Sequence, residues 1–241
     1  MGINLYPRKI LSANILIIIG LLCLNILGIL LEPRFEHSYV DGVVKLVDFN
    51  SERNVPTLFS TLLLLTASTL LFIIAVNQKA QGGFPKAWLG LSLIFLFLGV
   101  DEISSIHEHF TLPAQEAFGA SGLFYFAWVI PYGVALLILA AVYFRFLMAL
   151  PKPTLALFII SGVVFVSGAI GFEMLGGRHD ELTKDKGTLH QIYYTCEELL
   201  EMLGVAIFIY ALLRYIVDYS QSLVISISRP QPVKAGLQQT R

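Results

Sequence analysis

The chain has 241 residues, 56% of them hydrophobic and 14% charged, with a formal net charge of −1. A soluble domain carries about 25% charged residues, so this balance argues against an ordinary water-soluble globule, and the near-neutral charge offers no basic footprint for nucleic acid. No phosphate-binding glycine loop of the G-x-x-x-x-G-K-[ST] or G-x-G-x-x-G type is present, and Cys23 and Cys196 both fall in apolar runs, which argues against a disulfide framework.

A helix needs roughly 20 apolar residues to cross a bilayer. Six stretches qualify, at about 10–31, 56–77, 87–110, 124–149, 154–176 and 190–216. The expectation is an all-α integral membrane protein with six transmembrane helices in antiparallel hairpins, because the connections QKAQGGFPK and PKP are short. The first run follows Arg8 and Lys9 but is too long for a signal peptide, and Glu32-Pro33-Arg34 is no small-residue cleavage site, so it reads as a retained helix. In the first connection, SYVDGVVKLVDF suits a short amphipathic element at the interface. Asn54 and Pro56 then form a start signal for the second span, with Asn54 as cap and Pro56 in the first turn. Residues 1–218 thus make one six-helix transmembrane domain, and 219–241 read as a disordered cytoplasmic tail.

Placing both termini in the cytoplasm leaves ten of the sixteen Lys and Arg residues inside and six outside, as the positive-inside rule requires. The acids then sort sharply: of seventeen Asp and Glu, only Asp218 is cytoplasmic. Seven sit in the outer halves of helices, namely Asp101, Glu102 and Glu108 in span three, Glu173 in span five, and Glu197, Glu198 and Glu201 in span six. Lys and Arg are absent from those segments. An ionisable group within a span is costly and usually faces the bundle interior or water, so it marks a functional site.

At about 100° per residue, Asp101, Ser105 and Glu108 share one face of span three, with Glu102 and His109 on its flanks and His107 pointing away. On span six, His190, Tyr194, Glu197 and Glu201 share a face, with Glu198 beside it. Glu173 lines up with Ala169 and Gly162, small residues that allow a neighbouring helix to come close. Trp88 and Trp128 fit an interfacial aromatic belt. Pro131 is placed to kink span four, and Asn14 and Asn25 suit hydrogen bonds between helices.

Carboxylates gathered in low dielectric must bind cations, take up protons or see water. The leading expectation is a divalent metal site (Zn, Mn or Fe) in the outer leaflet between spans three, five and six. Asp101, His190, Glu197 and Glu201 are its candidate ligands, and Glu108 and Glu173 the candidate general acid and base. Glu102, His109, Tyr194 and Glu198 would support them from behind. Such a site suits a metal-dependent hydrolase acting on a lipid or amphiphile. The alternatives are a cation- or proton-coupled transporter and a non-catalytic subunit or assembly factor. No H-E-x-x-H or Glu-x-x-His pair singles out the first class, and no internal repeat singles out the second.

Overall fold

The structure, a computed structural model, describes residues 6–31, 38–184 and 187–219. The expected tail, from 220 onward, lies outside the described residues, as does part of the first connection. All regular structure among the described residues is helical, and six helices are long and apolar enough to cross a membrane: Pro7–Leu31, Val55–Lys79, Pro85–Ser104, Val129–Met148, Lys152–Thr183 and Thr188–Tyr219.

Helix α1 runs Pro7–Leu31 and a short α2 runs Ser38–Lys45. Val44 of α2 closes against Gly28 of α1, where an added Cβ would stand 3.3 Å from it. Helix α3, Val55–Gln81, starts as its sequence signals. The Asn54 side chain accepts the Thr57 N–H at 3.1 Å, and Pro56 occupies the first turn, where its missing N–H costs nothing. Helix α4, Pro85–Ser104, packs along α3. Ser68 and Ser92 tie the two by exchanging hydroxyl-to-carbonyl hydrogen bonds of 2.8 and 2.9 Å.

The third expected span departs from its forecast here. Ser105 adopts φ 50°, ψ 43°, left-handed backbone that ends α4, and a separate helix α5 begins at Ile106 and runs to Phe118. Asp101 and Glu108 therefore belong to different helices, and the single face projected through Ser105 does not exist. The chain then makes a 3₁₀ turn at Gly122–Phe124 before α6, Val129–Met148. Pro131 falls in the first turn of α6, a position that tolerates proline without a kink.

Helix α7, Lys152–Val166, continues through a π-helical stretch, Ser167–Phe172, into α8, Glu173–Thr183. The wider π turn changes the angular register and breaks the projected alignment of Glu173 with Gly162. Close approach occurs elsewhere on this rod. A Cβ on Gly168 would stand 2.6 Å from the Glu197 carbonyl oxygen, while one on Gly162 would meet nothing within 4 Å.

Helix α9, Thr188–Tyr219, is the central post, packed against α1, α3, α7, the π stretch and α8. Met202, Ala206, Ala211 and Leu212 are fully buried along it. Gly204 brings α7 so near that a Cβ would lie 2.7 Å from the Phe165 backbone nitrogen. Lipid tails are as apolar as these side chains, so close packing of this kind, with interhelical hydrogen bonds, holds the bundle together. One such bond is the expected Asn25 contact: its Nδ2 donates to Thr195 Oγ1 at 3.0 Å, and its Oδ1 accepts the Phe49 N–H at 3.0 Å.

One half of the bundle is apolar and aromatic. Trp88, expected in a belt, is instead core: it meets Phe146 edge-on at 5.0 Å and lies 4.8 Å from Tyr215. Phe158 and Phe208 extend the same cluster. Asp101 lies thirteen residues along α4 from Trp88, about 20 Å by helical rise. The ionisable groups gather at that opposite end.

Candidate functional site

The break at Ser105 builds the site. Leaving α4, the chain exposes the first N–H groups of α5, and buried Asp101 turns its carboxylate onto them. Its Oδ1 accepts the His107 backbone N–H at 2.8 Å. The same oxygen is 3.4 Å from His107 Nδ1, and Oδ2 accepts the Tyr132 hydroxyl of α6 at 3.2 Å. Asp101 thus caps one helix, pairs with an imidazole and anchors a third element.

His107, expected to face away, sits among the acids because the left-handed turn redirects it. Its ring lies 4.8 Å from Trp128, whose Nε1 donates to Glu173 Oε1 at 2.8 Å. Burial works against the imidazolium, but the hydrogen bond and charge of Asp101, reinforced by Glu201 and Glu173, outweigh it and raise the pKa of His107 from 6.5 to about 9. Trp128 is likewise no belt residue: it is buried and serves as a donor.

Around this core the carboxyl groups converge. Glu173 and Glu197 come together across the seam that Gly168 opens. Neighbouring buried carboxylates repel one another, and a proton or a cation between them would relieve that repulsion. Glu198 and Glu201 of α9 act electrostatically on Glu102 of α4, which reaches the buried Ser60 hydroxyl of α3. Exposed Glu52, in the connection before α3, accepts the Ser105 hydroxyl at 3.0 Å. Partial burial and Glu108 raise its pKa, against the lowering pull of Ser105, His107 and Arg53. Eight carboxyl groups from α4, α5, α8, α9 and one connection thus act on one another, and Asp101, Glu201, Glu173, Glu102 and Glu52 act on the His107 imidazole. Asp101 and Glu173 are buried, Glu102, Glu197, Glu198 and Glu201 half-buried, and Glu52 and Glu108 exposed, so the acidic chamber grades from interior to surface.

Not every expected site residue joins it. His190 is buried, but its Nδ1 pairs with Asp180 Oδ1 of α8 at 2.7 Å. Tyr194 meets the His190 ring edge-on at 4.6 Å and also lies near Glu173 and Glu197, so it stands between His190 and the chamber. His109 is exposed, with Nδ1 against the Ser105 carbonyl at 2.7 Å. Among the described residues, no three His, Cys, Asp or Glu side chains are grouped so as to hold a metal ion. His107 was expected to face away and Trp128 to join a belt, while Tyr132 and Asp180 carried no expectation. The lack of any basic partner for Asp101 within its own span was the one signal pointing to the nearest imidazole.

No curated protein and no solved structure matches the chain. Residues 15–216, which hold all six spans in whole or large part and every chamber residue, match one family along their length, so the chain belongs to the family described as a domain of unknown function, DUF8692.

Proposed function

We propose that this is a multi-pass membrane protein with both termini in the cytoplasm, whose acidic chamber opens on the exoplasmic side and works by acid–base chemistry on protonated carboxyl groups. The observation that carries this reading is the gathering of eight carboxyls around one imidazole, with buried Glu173 held by Trp128 and Glu197 beside it. One proton shared by two carboxyls makes an acid and a base side by side, the arrangement that activates water in paired-carboxylate enzymes. Trp128 fixes the geometry of the pair through Glu173, and His107 supplies the chamber's imidazolium. The excess of Lys and Arg on the terminal side supports the orientation.

The aromatic half of the bundle favours a one-sided site over a carrier, because Trp88, Phe146, Phe158 and Phe208 stand where a polar route onward would run. The ligand class that fits is a lipid or other amphiphile entering from the outer leaflet. A divalent ion is the second reading, since a cation between Glu173 and Glu197 would serve in place of the shared proton.

Elemental analysis of the purified protein, and of a Glu197→Gln, Glu201→Gln double variant, separates the two. The acid–base reading expects no stoichiometric metal in either. Stoichiometric metal in the parent that disappears in the variant overturns it in favour of a metal centre.

A further inference from the structure

A polar cavity of about 170 Å³ is lined by Asn25, Val44, Asp48, Asn50, His190 and Gln191. It is well above the 10–15 Å³ or so that a single water occupies. His190, only 3% exposed, contributes a buried Nε2 that has no hydrogen-bond partner. Its tautomer follows from Asp180. A carboxylate oxygen 2.7 Å from Nδ1 accepts a proton carried there, which in the neutral tautomer leaves Nε2 as an acceptor. A buried acceptor without a donor costs about 1–3 kcal/mol, a cost that a hydrogen-bond-donating ligand would remove.

The rest of the lining specifies that ligand further. Asp48 accepts from the Asn50 N–H at 3.0 Å and the Ser51 hydroxyl at 2.8 Å, yet no Lys or Arg pairs with it among the described residues. Asn25 has its oxygen engaged by Phe49 and keeps one amide hydrogen on Thr195. The features that select a ligand are therefore a buried acceptor nitrogen and an uncompensated negative charge, with the Asn50 and Gln191 side-chain amides beside them. A neutral donor would answer only the first; an N–H cation answers both.

We propose that this cavity binds a small primary ammonium group, which donates to His190 Nε2 and offsets the charge of Asp48, with Asp180 as a positioning residue that fixes the imidazole tautomer. The ammonium could belong to a free amine or to a lipid ethanolamine headgroup; the chemistry recognised is the same.

Thermal unfolding of the full chain in detergent tests this with ethylammonium as the probe, against tetramethylammonium (which has no N–H) and sodium at matched ionic strength. The expected result is a saturable rise in midpoint with ethylammonium alone, with affinity at least about tenfold weaker in Asp48→Asn and in His190→Phe. Asp48 lies in a connection outside the core helices, so Asp48→Asn keeps the test valid if His190→Phe fails to fold. Equal stabilisation by tetramethylammonium or sodium, or an unchanged response in Asp48→Asn, overturns the proposal. Repeating the titration in phosphatidylethanolamine and phosphatidylcholine nanodiscs distinguishes the sources. Competition by the ethanolamine lipid assigns the site to a headgroup, and equal binding in both assigns it to a free amine.

Discussion

Substituting His107 probes the chamber at its one cationic group. In the folded protein its pKa is raised from 6.5 to about 9, chiefly through Asp101, working against burial. A group whose folded pKa is raised contributes stability that is complete below its unfolded value and is lost as pH climbs through its folded value. The stabilisation is therefore full below 6.5, declines between 6.5 and 9, and is absent above. At 1.36 kcal/mol per pH unit, the shift corresponds to roughly 3 kcal/mol at most, and the ring is only 22% exposed, so solvent screening removes little of it. His107→Gln keeps the backbone N–H that Asp101 caps and removes only the titrating charge. Denaturant unfolding in detergent should show the parent losing about 2–3 kcal/mol between pH 6.5 and 9.5 and the variant showing no such slope. A parent whose stability is flat over that window, or a His107 resonance titrating near 6.5, would refute the reasoning.

Trp128→Phe keeps the ring beside His107 but deletes the donor to buried Glu173, one of its two partners, and should cost about 1–3 kcal/mol; calorimetry of the two proteins checks it. Ser105→Val places a β-branched residue at φ 50° and removes the hydroxyl held by Glu52, so it should destabilise by about 2 kcal/mol or more, whereas Ser105→Gly should stay within about 1 kcal/mol of the parent. The α7–α9 seam gives a sharper contrast. Gly204→Ala forces a methyl to within 2.7 Å of the Phe165 backbone and should abolish folding or cost about 3 kcal/mol or more, while Gly162→Ala meets nothing and should be neutral or mildly stabilising by melting temperature. Asn54→Ala should cost about 1 kcal/mol through loss of the α3 cap.

Much of the helical architecture could be read directly, because a bilayer requires long apolar runs and each of the six is continuous enough to recognise. The acids of α9 were legible for the same reason: Glu197 and Glu201 fall on one helical face that no break disturbs. What failed was projection across irregular backbone. Ser105 shows no compositional mark of its left-handed turn, since neither glycine nor proline stands there, and once α4 stops the angles of Glu108, His107 and His109 no longer follow from those of Asp101. The π stretch before Glu173 displaced a second projection in the same way. Asp180 was hidden for a different reason. Position 180 falls between the expected spans 154–176 and 190–216, and only the extension of α8 to Thr183 brings it to His190.

Protons held between carboxyl groups are what the proposed acid–base chemistry requires. Infrared difference spectroscopy of the chelator-treated protein near neutral pH, with Glu173→Gln and Glu197→Gln as controls, reads the protonated carboxyl stretch directly. The expected result is a protonated-carboxyl band in the parent that loses intensity in either variant. A spectrum of fully ionised carboxylates, unchanged by both substitutions, would contradict it.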